Sequence, residues 1–207
     1  MASVAAILAD YGAARQRAYC WQRERSVAAR TGMALAMAAV TGLMAQWRIM
    51  LPFSDVPLTG QTFAALMAGV ALGGAFGSLS QVFYVALGAA GVPWFSGARA
   101  GLPVLLGPTA GYMVGFALTA GLIGWLSEHR PAMRRFVPQL LLMATGSALI
   151  LVCGWVYLVL ALGRAPMAAF LTGVVPFVIG DLGVKTFAAA GLGTALLPKD
   201  GRGQPRA

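Results

Sequence analysis

The chain has 207 residues, of which 59% are apolar and only 10% charged, against roughly a quarter charged in an ordinary soluble domain. Its mean hydropathy is +0.77 and its formal charge +9. These values exclude a disordered chain and argue against a soluble globule. A basic balance in a soluble protein would suggest a nucleic-acid partner; here the arginines sit in short clusters between apolar runs, which is how orientation is set in a bilayer, so no nucleic acid is expected.

A spanning helix takes about 20 apolar residues, so the length accommodates six spans and no separate soluble domain. Residues 1–26 form a basic segment. It reads either as an interfacial helix, with Ile7, Leu8 and Tyr11 on one face, or as a solvated tail. Its acidic Asp10 precedes the arginines, the reverse of a secretory leader. The first span is expected from about Val27 to Trp47, followed by a loop at Pro52, Ser54, Asp55 and Pro57. The second begins near Gln61 and fades at Gly73–Gly77; the third runs from about Ser78 to Gly91. The connection from Val92 to Gly101 is too glycine-rich for a stable helix. The fourth span starts near Gly107-Pro108 and ends at Glu128. The fifth covers Pro138 to Gly163. The sixth covers Val175 to Leu197, with Pro176 in its first turn, and Ala165 to Gly173 lies near the membrane surface. Residues 27–198 thus make the transmembrane domain and 199–207 a basic tail.

Six spans place both termini on one side. That side carries Arg15, Arg17, Arg23, Arg25, Arg30, Arg130, Arg134, Arg135, Lys199, Arg202 and Arg206, and the other only Arg48, Arg99 and Arg164. The termini are therefore expected in the cytoplasm of a multi-pass protein of the inner (plasma) membrane.

Polar residues then gather toward the outside. Gln61, with Thr59 and Thr62, opens the second span. Tyr84 lies in the third, Trp94 and Arg99 in the outer connection, Thr109 and Tyr112 at the start of the fourth, and Asp181 and Lys185 in the outer half of the sixth. The inner halves read as nearly pure Ala, Leu, Val and Gly. This distribution predicts a cavity open to the outside. An aspartate and a lysine four residues apart share a helix face and can pair. Charges in a span are costly and mark function more often than packing. Arg99 offers a fork for a carboxylate. Trp94, Phe95 and Tyr112 either wall a pocket for a planar ligand or belong to an interfacial aromatic belt.

Small residues four apart recur: Ala34 with Ala38, Gly69 with Gly73, and Gly107, Gly111 and Gly115. The glycines are expected to pack within the fold. The alanine face is a candidate docking surface for a partner membrane protein. No phosphate-binding loop, metal-ligand cluster or serine–histidine pair is present, and Cys20 and Cys153 imply no disulfide framework. No cofactor is expected. The remaining alternatives are an intramembrane enzyme using Asp181 and Lys185 as acid and base and a purely structural assembly subunit.

Four motifs in order, Val56-Pro57-Leu58-Thr59-Gly60-Gln61-Thr62, Gly88-Ala89-Ala90-Gly91-Val92-Pro93-Trp94-Phe95, Leu106-Gly107-Pro108-Thr109-Ala110-Gly111-Tyr112, and Pro176-Phe177-Val178-Ile179-Gly180-Asp181 with Lys185, resemble the BioY family over about residues 30–198. These are the biotin-specific S components of energy-coupling factor (ECF) transporters. The chain departs from the family pattern at Ala110, where the family reads glycine, and in the spacing of Asp181 and Lys185, four rather than three. The resemblance implies a six-helix S-component fold with an externally open biotin site. It also implies partnership with a transmembrane coupling protein and cytoplasmic ATPases. Asp181 and Lys185 would serve the ureido end of biotin and Arg99 its carboxylate, with Gln61, Tyr84, Trp94, Thr109 and Tyr112 around the ligand and Ala34 and Ala38 toward the coupling protein. The expected function is biotin uptake, not catalysis. A solitary transporter, or an S component for another vitamin, stands as the alternative.

Overall fold

The computed structural model describes residues 4–198; the tail with Lys199, Arg202 and Arg206 lies outside them. The elements are α1 (Val4–Arg23), α2 (Val27–Gln46), β1 (Arg48–Ile49), β2 (Leu58–Thr59), α3 (Gln61–Ala89), α4 (Leu102–Leu105), α5 (Ala110–His129), a 3₁₀ turn (Pro131–Arg134), α6 (Phe136–Leu160), α7 (Pro166–Gly173), a π-helical segment (Val178–Lys185) and α8 (Thr186–Leu196). By length and composition α2, α5 and α6, and α3 counted along its whole length, are candidates to cross a bilayer; α7 with the segment Val178–Leu196, bent by 47°, makes a fifth. The protein is a helical membrane protein. In hydrocarbon only helices or closed barrels satisfy their own backbone groups, which is why unbroken apolar runs become helices here.

Helix α3 is not one rod. Gly73 has φ 81° and ψ −177°, outside the helical region, and the chain folds back there. Gln61 Nε2 donates to the Tyr84 hydroxyl at 2.6 Å, although an uninterrupted helix would separate residues 61 and 84 by about 35 Å. A Cβ on Gly77 would lie 2.8 Å from the Ala68 carbonyl oxygen, so the two arms are in backbone contact. Glycine permits the reversal because it has no Cβ penalty at positive φ. The second arm is capped from outside: Gly74 N donates to Glu128 Oε2 at 3.2 Å, a carboxylate placed at a helix N-terminus.

The expectation that small residues serve packing holds for Gly69, Gly111 and Gly115, whose missing Cβ atoms would press on the Ala120 carbonyl, on Tyr157 and Cys153, and on Ile150. It does not hold for Gly73, which makes the turn, or for Gly107, whose nearest neighbours are the carbonyls of Val104 and Pro103 in the preceding turn.

The two ends of the bundle differ. At the basic end, Arg23 pairs with Glu128. The buried Arg134 donates to the carbonyls of Ser127 (2.7 Å), Glu128 (3.2 Å) and Pro198 (3.3 Å) and to the Tyr19 hydroxyl (3.0 Å). Burial pulls its pKa below the ordinary guanidinium value. Helix α1 docks here too, with Tyr11 and Arg15 donating to the carbonyls of Ala195 and Thr194. At the opposite end, residues 90–109 form a strap over the helix ends and Arg164 bridges Asp55 at 2.5 Å.

Polar residues are buried along the length of the bundle, including Ser80, Gln81 and Gln139 in the halves toward the basic end, where nearly pure Ala, Leu, Val and Gly were expected. Thr41, Ser80, Gln81, Thr119, Gln139, Ser147 and Thr186 are all buried, and Gln139 lies near the basic end of α6. Single polar residues barely change the hydropathy of a long run, and several bond directly within the bundle, as Thr119 does to the Gly146 carbonyl at 3.0 Å.

Candidate functional site

The chain re-enters helix after Pro176, first through the π-helical segment Val178–Lys185. In an α-helix, positions i and i+4 stand about 40° apart around the axis; the wider π turn brings Asp181 and Lys185 closer to register. π-Turns of this kind recur at functional sites. The two side chains form an ion pair. Thr62 Oγ1 donates to Asp181 Oδ2 at 3.2 Å, and Lys185 Nζ donates to the Thr59 carbonyl at 2.5 Å. Ser147 and Thr186 bind the Asp181 carbonyl. Asp181 is only 3% exposed, so its charge is held by partners rather than by solvent.

Asp181 borders a hollow of about 30 Å³ shared with Val56, Pro57, Thr59, Gln61, Thr62, Thr109, Tyr112, Met113, Phe116 and Phe177. Residues from the β2 region, the start of α3, α5 and the π segment thus meet at one place, on the strap side. Thr59 Oγ1 donates to Gln61 Oε1 at 2.9 Å, which orients the Gln61 amide so that its nitrogen reaches Tyr84. A second hollow, of about 300 Å³, opens beside the first. Arg99, Ala100, Pro103, Val104, Gly107, Pro108 and Thr109 line it, and Thr109 belongs to both.

Of the residues expected around a ligand, Gln61, Thr109, Tyr112 and Asp181 line the inner hollow and Arg99 the outer one. Lys185 stands behind Asp181 as its partner. Tyr84 and Trp94 stand one step back. The Tyr84 ring is fully buried, 5.6 Å from Trp94 and 5.4 Å from Phe95 between centroids. Trp94 Nε1 donates to the Tyr84 carbonyl at 2.9 Å. These aromatics pack the strap onto α3; they do not line the hollow. The Tyr112 hydroxyl donates to the Gly173 carbonyl at 2.6 Å, so only its ring faces the site.

Thr62, Met113, Phe116 and Phe177 complete the wall. Thr62 was already grouped with Gln61 and Phe177 already lay in the fourth motif, though neither was singled out for the ligand; Met113 and Phe116 looked like any other span residues. The alanine face of α2 is corrected: Ala34 and Ala38 are fully buried against the protein itself, while Ala28, Gly32 and Ala36 on the same helix are exposed. Regular spacing marks a face of a helix without saying which way it turns.

The strap is held in an unusual conformation. Phe95 and Arg99 form a two-residue bridge around Ser96, Gly97 and Ala98. Ala98 has φ 56°, the only left-handed non-glycine among the described residues, a state that costs roughly 1–2 kcal/mol.

A helical membrane protein with a small hollow of mixed polar and apolar walls beneath a strap defines the class: a membrane protein with a candidate ligand site. The overall shape matches the crystal structure of an S component for biotin from an ECF-type ABC transporter, with a TM-score of 0.73 over 82% of this chain and 90% of that one, at 22% identity. The BioY family pattern matches residues 18–200, and the chain belongs to that family. A probable biotin transporter BioY of Methanothermobacter thermautotrophicus is 41% identical over 145 residues, 67% of this chain and 92% of the relative. A biotin transporter BioY of Thermotoga maritima is 37% identical over 142 residues, 69% and 81% of the two chains.

Proposed function

We propose that the protein is the biotin-binding subunit of an ECF-type vitamin uptake system in the plasma membrane, working with a transmembrane coupling protein and cytoplasmic ATPases. Both α3 arms count as crossing segments in this reading, giving six, with the basic end in the cytoplasm and the strap outside. The observation that carries it is Asp181, buried at the wall of a hollow on the strap side and paired with Lys185, in a chain of the BioY family.

Biotin has a ureido ring that donates and accepts hydrogen bonds, an apolar bicycle and an acidic tail. In this proposal Asp181 and Thr62 take the ureido group, and Phe116, Phe177 and Met113 take the bicycle. The tail reaches the outer hollow, where Arg99 faces the carboxylate. Ligand pockets usually enclose about 300–1,000 Å³. The inner hollow is far smaller, so binding requires the strap or Phe177 to move outward. The coupling protein would pack along Ala28, Gly32 and Ala36 of α2, where small side chains allow close approach. Titration calorimetry of the purified protein with biotin, riboflavin and thiamine tests the reading. Saturable binding of biotin alone is expected, weakened at least tenfold by Arg99→Ala. Binding of another vitamin in preference to biotin would overturn it.

A further inference from the structure

We propose that Gln46 is a positioning residue for the ligand site: it latches the strap that carries Arg99 to the end of α2, so that the strap travels with that helix. This inference rests on the binding function proposed above. Gln46 is the last residue of α2, and its side-chain amide is fully engaged. The two N–H groups of Nε2 are shared among three carbonyl oxygens, Trp94 at 3.1 Å, Phe95 at 3.2 Å and, one turn back, Gly42 at 3.0 Å. Oε1 accepts from Ala98 N at 3.0 Å. One side chain therefore grips both limbs of the small hairpin whose closing residue is Arg99. The left-handed Ala98 is the residue whose amide it holds, next in sequence to Arg99.

The neighbours of Gln46 serve the same contact. Gly42, one turn earlier, leaves room for the strap; a Cβ there would lie 2.9 Å from the Trp94 Cβ. Arg48, two residues later, lies over Gly97, where a Cβ would come within 2.2 Å of its Nη1. On the other side the strap rests on Tyr84 through Trp94 and Phe95, and Tyr84 is tied to Gln61 of the hollow. The hairpin is thus held between α2 and the second arm of α3. A shift of α2 against α3 would pull the Gln46 contacts apart from the Tyr84 contacts and reposition Arg99. Among the described residues, Arg99 holds the hairpin through its Nε on the Ser96 carbonyl at 3.0 Å, and its two terminal nitrogens face a ligand in this proposal.

The test uses the full-length protein in detergent micelles, comparing the native chain with Gln46→Ala and with a Gln46→Cys/Ala98→Cys pair in a background of Cys20→Ser and Cys153→Ser. The readouts are hydrogen exchange of the amides of residues 94–101 without ligand, the rate of exchange of bound radiolabelled biotin, and the melting temperature without ligand. Gln46→Ala is expected to raise amide exchange in the strap and to speed biotin dissociation at least tenfold, with the ligand-free melting temperature unchanged. Bridging the cysteine pair with a short thiol crosslinker is expected to slow dissociation below the native rate. Native dissociation kinetics in Gln46→Ala, or an equal fall in melting temperature and affinity, would overturn the latch. If the native chain binds no biotin, the functional reading fails, and unchanged strap exchange in Gln46→Ala separately overturns the latch.

Discussion

Asp181 and Lys185 stabilise each other in a place where neither charge would be stable alone. Removing one partner of a buried pair typically costs about 3–5 kcal/mol, because the other charge is left behind, whereas removing both is far milder. Asp181→Asn is therefore expected to lower both thermal stability in detergent and biotin affinity, the latter at least tenfold by calorimetry. Adding Lys185→Met to it is expected to restore most of the stability but none of the affinity. That divergence would separate the binding role proposed for the pair from its packing role. The pair was visible in the sequence because charges inside an apolar run are expensive, and that expense is a one-dimensional signal. Gln46 gave none: a glutamine at the end of a span looks like a polar boundary residue, and its importance comes from a strap about fifty positions away.

Among the elements, α3 shows how much a hydropathy pattern holds and what it lacks. The weakening at Gly73–Gly77 announced an interruption, but not that one glycine makes the reversal. Gly73→Ala would set a Cβ at φ 81° within 1.9 Å of Glu128 Oε1. It is expected to abolish the monodisperse peak of a fluorescent fusion in size-exclusion chromatography, whereas Gly191→Ala, which meets nothing within 4 Å, leaves it intact. The π-helical stretch was not legible at all, since its apolar and glycine content suits an α-helix equally well. The turning of α2 was illegible for a related reason. Ala34-to-Ala38 and Gly32-to-Ala36 have the same spacing, and only packing against α3 distinguishes them.

For the molecule as a whole, the asymmetry of arginine was the clearest signal, and it corresponds to a physical difference between the ends. The basic end is a network centred on Arg134, whose planar fork serves four oxygen acceptors. Lysine offers a point charge rather than a fork. Arg134→Lys is therefore expected to lower the melting temperature nearly as far as Arg134→Ala, and to expose α1 to trypsin. Orientation is checked independently with single cysteines introduced in a cysteine-free chain. Arg130→Cys is expected to react with a membrane-impermeant maleimide only after cells are opened, and Ala161→Cys in intact cells.

The contacts of Tyr11 and Arg15 with Ala195 and Thr194 tie the middle of the first helix to the end of the last. A flexible peptide linker long enough to run back along α1 would join the ends of the described polypeptide, and new ends cut between Leu162 and Ala165 would yield a permuted chain. If such a rearranged molecule still captures vitamin, the order in which the segments are synthesised is separable from the shape they reach.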